Sequence, residues 1–386
     1  MDYNLNYSHF PEELKLILNL MANENDQQQY DDIDWDLFLL LVKHHRVYPT
    51  IYSRLKRNRQ GKVPTHVTQK LSYNFQQNTL KMLQLCAEME LLSKLFTEND
   101  ICSLHLKGPV VASDLYGDIS KRTCRDLDIL VQMKDLDQVE KLLINQGYEK
   151  DDYIESVLND WKWRHHHITF FHPQKKIKVE IHWRLNPGPS KDPSFDELWE
   201  RKRCSSLTHF PVYFLGREDL FLFLITHGAR EGWFRLRWLL DINQMVRGEL
   251  DSEKLNILIK QYQYSHLVGQ ALVLARELLH TPIPEEFQSN ISGEHPRKLA
   301  HQALFYIERI IELHINPLPE EVSAYHQRYL FNLKTNQQKL LFLCSFFYPY
   351  STDAEILPLP KHLHFLYFPL RPFLWAWRKT RKHALP

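Results

Sequence analysis

No stretch of this 386-residue chain approaches the ~20 consecutive apolar residues of a membrane-spanning helix, so no transmembrane segment is expected. Its start, MDYNLNYSHFPEELK, is acidic and lacks an apolar centre, which reads against a secretory signal peptide. Cysteine is sparse: five residues, widely spaced, with no Cys-x-x-Cys pair. That argues against a disulfide framework or structural zinc and for free thiols in a reducing compartment. An excess of one charge is also missing. Forty-eight Lys and Arg stand against forty-seven Asp and Glu, so there is no general basic field with which to bind a long nucleic acid by counterion release. A local basic groove is compatible with that balance. Internal repeats and low-complexity tracts are absent as well. The expectation is a cytoplasmic globular protein.

What is present is an ordinary globular composition, 44% apolar and 25% charged, in a chain long enough for two or three folding units. Residues 1–98 read as an N-terminal helical region. FPEELKLILNLMA opens with Pro11 and two glutamates and then repeats apolar positions at helical spacing. DIDWDLFLLLVKHHRVYPTIYSRLK and TQKLSYNFQQNTLKMLQLCAEMELLSKLFTEND continue the pattern, with a turn at Gly61-Lys62-Val63-Pro64. The period changes near residue 99, and residues 99–190 read as an α/β core. It starts with a strand in ICSLHLKG, a helix from Pro109 to about Tyr116 stopped by Gly117, and a strand in CRDLDILVQM. A helix in KDLDQVEKLLINQGY follows, with Asp135 as N-cap and Gln138 three residues on, then a hairpin of HHHITFF and KIKVEIHW. Residues 191–350 read as a second helical region and 351–386 as an aromatic and basic tail. Pro369 and Pro372 are expected to break any long amphipathic helix there, favouring a tail packed on the body over one lying on a membrane. The fold class expected is α+β: a small mixed β-sheet core flanked by N- and C-terminal helical regions.

The chemistry concentrates in the core. Alternate side chains of a strand share a face, so Asp126 and Asp128 point one way while Leu127 and Ile129 point the other. In the later strand Glu180 and His182 share a face opposite Val179, Ile181 and Trp183. If the two strands are neighbours, three carboxylates converge, and such a cluster repels itself unless a divalent cation occupies it. Hard oxygen donors suit Mg²⁺ or Mn²⁺, with substrate phosphates completing the shell. Lys107-Gly108-Pro109 supplies a complementary anion site, a strand end leading through glycine into a helix N-terminus. Arg122 and Arg125 are candidate forked donors to phosphate oxygens. Cys124 has no evident base nearby and reads as a buried thiol. Alternation sends His166 away from His165 and His167, which favours strand-edge histidines over a metal site.

These residues resemble the uncharacterised nucleotidyltransferase family of the DNA polymerase β-like superfamily. The motifs are Lys107-Gly108, Tyr116, Arg122-Thr-Cys-Arg-Asp126-Leu-Asp128-Ile-Leu-Val131 and Val179-Glu180-Ile-His182-Trp183. Glu218-Asp219-Leu220, His227, Gly232-Trp233 and Arg235-Leu-Arg-Trp238-Leu-Leu-Asp241 follow. The resemblance runs over about residues 95–250 and is fairly specific when the motifs are taken together. It implies that Asp126 and Asp128 hold Mg²⁺ (or Mn²⁺) on the phosphates of an NTP, with Glu180 completing the site. Lys107, Gly108, Arg122 and Arg125 would bind nucleotide. The reaction implied moves an NMP, AMP foremost, to a hydroxyl-type acceptor on a small molecule, a peptide or protein, or an RNA end such as that of tRNA. His182, His227 and Arg235 are the acceptor-side candidates. His182 would either orient Glu180 or touch the acceptor. A structural hydrogen bond is the other reading for His227 and Asp241, and a solvated face for Arg235 and Arg237. The wider superfamily has Gly-Ser where this chain has Gly108-Pro109, which removes a hydroxyl and an N–H from the phosphate site. Two other readings stand beside this one: a catalytically silent nucleotide- or partner-binding protein on the same fold, and an Asp-x-Asp glycosyltransferase. Against the latter, about 100 helical residues precede the first strand.

Overall fold

In the computed structural model, which describes residues 5–22, 32–57, 63–151, 161–315 and 317–382, the chain begins with four helices. They are Glu12–Ala22, Trp35–His44, Tyr48–Arg57 and Thr65–Thr97. Asp34 caps the second by accepting from the N–H groups of Asp36 and Leu37. Between the second and third the period breaks at Arg46, which takes φ 57°. Gly61 and Lys62 of the expected turn lie outside the described residues, and Val63-Pro64 leads into the longest helix. That helix buries Met82, Leu85, Met89, Leu92 and Phe96 at spacings of three and four, a single apolar stripe laid against the sheet.

Seven strands form one mixed sheet: β1 (Ser103–His105), β2 (Asp126–Val131), β3 (Glu149–Lys150), β4 (His167–His172), β5 (Ile177–His182), β6 (Arg203–Ser205) and β7 (Val212–Phe214). Their order is β3-β4-β5-β2-β1-β7-β6. β2 pairs antiparallel with β1 and parallel with β5, so the two strands that carry carboxylates are direct neighbours. Their register sets Asp128 opposite Glu180 and Leu130 opposite His182. β4 and β5 form the expected hairpin. β6 and β7 fall in the region read as helical; at three residues each they are too short to show a period. Because β7 pairs with β1, the sheet runs past the boundary expected at residue 190.

Helix Pro109–Tyr116 starts on its proline and ends at Gly117, whose φ of 65° closes it in the left-handed conformation. Helix Leu136–Asn145 departs from expectation at its start. Asp135 sits in a 3₁₀ turn and makes no side-chain cap, while Gln138 donates to the Asn99 carbonyl at 3.1 Å. Helices Arg217–Arg230 and Leu236–Arg247 fold back on each other and lead into Ser252–Tyr262, Ser265–Leu279 and Glu294–Glu308. One hydrophobic core joins these helices, the sheet and the N-terminal helices over residues 5–333. The tail corrects a further expectation: it contains helix Tyr367–Lys382. Pro369 lies in its first turn, where a missing N–H costs nothing, and Pro372 is accommodated inside it.

Candidate active site

The centre of the sheet is built by alternation. With Leu127, Ile129, Val179 and Ile181 fully buried in the core, Asp128, Glu180 and His182 are left to share the other face. Donor atoms of these three all lie within 4.8 Å of one another. His182 Nε2 stands 3.2 Å from Asp128 Oδ1 and 3.6 Å from Glu180 Oε2. Lys107 closes the cluster from the end of β1, with Nζ 3.0 Å from Asp128 Oδ1. Lys178, two residues before Glu180 and so on the same face, brings its Nζ to 2.6 Å from Glu180 Oε1.

The charges hold one another in place. Burial pushes the Asp128 carboxyl up, but the Lys107 ammonium and the His182 hydrogen bond outweigh it and keep Asp128 below the usual carboxylate range. Burial likewise opposes the Glu180 charge, and the contacts with His182 and Lys178 hold it ionised. His182 is disfavoured as a cation by burial, yet its bonds to Asp128 and Glu180 lift it above the ordinary imidazole value. Asp126 behaves differently: burial, then the negative charge of Asp128, raise its carboxyl. It feels Asp128 and Glu180 electrostatically but falls outside the 4.8 Å group.

Two atoms of the cluster, Asp128 Oδ2 and His182 Nδ1, are buried without a hydrogen-bond partner. Asp128 Oδ1, by contrast, has two. A buried carboxylate oxygen without a donor is costly. A divalent cation would relieve that cost: Asp128 and Glu180 offer hard oxygen donors that suit Mg²⁺ or Mn²⁺, while Asp126 stands outside their group. Beside this site Gly108 takes φ 92°, a conformation that L side chains rarely adopt, and no side chain caps helix Pro109–Tyr116. The backbone therefore turns directly from Lys107 into a helix N-terminus.

The family model of the uncharacterised nucleotidyltransferases matches residues 31–280. The chain belongs to that family. The match includes three of the four N-terminal helices, the whole sheet and the helices through Leu279, a wider span than the motifs themselves cover. A crystal structure of an antigenic nucleotidyltransferase-like protein from Paracoccidioides brasiliensis aligns at 14% identity and TM-score 0.30, covering 52% of this chain and 94% of that one. No curated protein matches the chain.

Other expected residues of this family member sit elsewhere. Arg122 is buried and spends its guanidinium on Asp241, donating from Nε (2.9 Å) and Nη2 (2.9 Å) while the Tyr116 hydroxyl donates to the same carboxylate at 2.8 Å. The structure thus gives Arg122 a structural partner rather than an open approach to phosphate. Arg125 is exposed just ahead of β2. Arg235 is also buried, bonded to the His44 carbonyl and to Glu312. Arg237 is buried against Thr123, so neither is a solvated face. His227 does belong near the centre. Burial and the Lys107 charge press its imidazole well below the ordinary value, and Arg230 meets its Nδ1 at 3.2 Å. His166 is a correction. It precedes β4, so strand alternation does not govern it, and it joins His167 and His182 in a second group of donor atoms within 4.8 Å. Lys178 and Arg230 were missed, although both were accessible by spacing: two residues before Glu180 on a strand and three after His227 on a helix.

Proposed function

We propose that the protein transfers a nucleoside monophosphate, AMP foremost, from an NTP to a hydroxyl-type acceptor. The observation that carries this reading is Asp128, a buried carboxylate held ionised by Lys107 and His182 with its second oxygen unpartnered. In this reading Asp126, Asp128 and Glu180 hold Mg²⁺ or Mn²⁺. When bound, such an ion neutralises charge on the triphosphate and eases ionisation of the acceptor hydroxyl. Lys107 meets the phosphates as a point charge, and the uncapped helix after Gly108 offers N–H groups to them. His182 keeps a proton between Asp128 and Glu180 and so fixes the spacing of the two carboxylates. His227 and Arg230 line the acceptor side. The acceptor oxygen bonds to the α-phosphorus as the bond to the bridging oxygen breaks. Pyrophosphate departs and the hydroxyl proton passes to a carboxylate of the site.

The acceptor classes that fit are a small molecule, a peptide or protein, and an RNA end such as that of tRNA. Family membership leaves the Asp-x-Asp glycosyltransferase reading without support. One observation favours a silent nucleotide-binding protein instead: the Lys107–Asp128 pair sets an ammonium where an ion would compete. A single experiment separates the two. ATP labelled at the α-phosphate, incubated with the protein and a cell extract, is expected to label an acceptor, whereas γ-labelled ATP is not. Label transferred only from the γ position would replace nucleotidyl by phosphoryl transfer, and no transfer of either label would favour the silent protein.

A further inference from the structure

The aromatic tail has no part in the transfer chemistry, yet its helix presents an unusual surface. Tyr367, Arg371 and Leu374, three and four residues apart, form the buried side of helix Tyr367–Lys382. Arg371 anchors that side, bonding both oxygens of buried Asp353 at 2.6 Å. At 3.6 residues per turn the outward side carries Pro369, Pro372, Phe373, Ala376 and Trp377, with Phe368 and Trp375 at one margin. Phe373 is 73% exposed, Trp377 54%, Trp375 50% and Phe368 41%, and Phe365 just ahead of the helix is 61% exposed.

The outward side of a helix on a globular protein is ordinarily polar. Here it is aromatic. At roughly 200 Å² per ring the five side chains leave about 500 Å² of apolar surface in water, near the upper size for a typical monomer. The patch continues onto the neighbouring segment 336–347. Leu341, Phe347 and Phe368 line one cavity of about 470 Å³, and Leu340, Leu341 and Phe347 are each more than half exposed.

Charge identifies what covers it. Besides the Arg371 that Asp353 neutralises, residues 357–386 contain Lys361, Arg378, Lys379, Arg381 and Lys382 and no Asp or Glu, in a chain whose net charge is only +1. Almost all of that positive charge lacks an acidic neighbour in sequence. Trp and Phe beside Lys and Arg, without acids, is the composition of a helix that lies in a membrane interface. Rings on a convex helix also suit a bilayer, which demands no matching groove. Among the described residues no helix is long and apolar enough to cross a membrane, so the contact runs along the surface. We propose that this C-terminal face docks on an anionic lipid bilayer, with its rings at the boundary between headgroups and acyl chains.

The test is sedimentation of the full chain with vesicles of phosphatidylcholine alone or with about one-third phosphatidylglycerol. Binding to the mixed vesicles is expected, with a blue shift of Trp emission. It should weaken at least tenfold on pure phosphatidylcholine and in about 0.5 M NaCl, where charge attraction is screened. The variant Phe373→Ser/Trp375→Ser/Trp377→Ser should bind at least tenfold more weakly with its circular dichroism and pyrophosphate release unchanged. Should the triple variant misfold, Lys361→Glu supplies the same test with a smaller loss. Absence of binding to anionic vesicles, or equal binding by variant and parent, overturns the proposal. So does a dimer in solution that the variant dissociates without any vesicle binding, which would assign the face to a second copy of the chain.

Discussion

Replacing Asp241 by alanine should cost this protein a large part of its stability, because Asp241 is the only hydrogen-bonding partner found for the guanidinium of Arg122 among the described residues. The pair is 1% and 0% exposed. Burial alone would make Arg122 easier to deprotonate, but the Asp241 carboxylate lifts its pKa above the usual guanidinium range, so the arginine stays charged. Asp241→Ala strands that charge in the core, which costs about 3–5 kcal/mol. Losing the acceptor of the Tyr116 hydroxyl adds about 1 kcal/mol. Against a typical total of roughly 5–15 kcal/mol, the variant should unfold at a far lower urea concentration. Removing both charges with Arg122→Met/Asp241→Leu should recover most of the loss, since apolar packing replaces such pairs at little net cost. NTP affinity measured by calorimetry should be kept in the double variant. A loss below about 1 kcal/mol in Asp241→Ala would refute the structural role. A stable double variant that binds NTP tenfold more weakly would return Arg122 to the phosphate site.

Lys107→Ala should weaken NTP binding by roughly 1.5–3 kcal/mol, the worth of a charged hydrogen bond, with little change in apparent acceptor affinity; calorimetric binding equal to that of the parent would remove the phosphate site from the end of β1. His182→Ala should lower turnover while leaving NTP affinity nearly intact, because its contacts are with Asp128 and Glu180. Steady-state kinetics that show a changed KM for NTP and an unchanged kcat would contradict this. His105 is buried with Nε2 2.9 Å from the Ser93 hydroxyl, and burial lowers its pKa from 6.5 to about 4. A depressed folded-state value means the unfolded chain binds the proton first, so stability present above pH 6.5 falls as pH drops toward 4, by roughly 3 kcal/mol. His105→Gln should flatten the fall in urea midpoint between those pH values; an unaltered slope would assign the acid sensitivity to other groups.

The core of the site was legible because strand alternation is local. Asp126 with Asp128 and Glu180 with His182 read as same-face pairs from the sequence; the parallel pairing of β2 with β5 brings Asp128, Glu180 and His182 together, whereas Asp126 falls outside their group. The glycine between Lys107 and Pro109 was equally readable, since its backbone turns directly into the helix. Partner choice over long distances was not. Arg122 finds Asp241 119 residues away, and nothing within either segment distinguishes a guanidinium destined for a carboxylate from one destined for a phosphate. β6 and β7 escaped because three residues cannot display a period. The tail was misjudged by treating its prolines as breakers irrespective of position, when one falls in the first turn and the Arg371–Asp353 pair secures the rest.

The measurement that bears most directly on the central claim is pyrophosphate release from NTP in the presence of Mg²⁺ and acceptor-containing extract, compared between the parent protein and Asp128→Asn. The amide keeps the shape of the side chain but removes the charge that Lys107 and His182 address and that the proposed ion would need. Release should fall to background in Asp128→Asn, while circular dichroism and the urea midpoint show that the protein is still folded. Undiminished release by a folded Asp128→Asn protein would contradict the account.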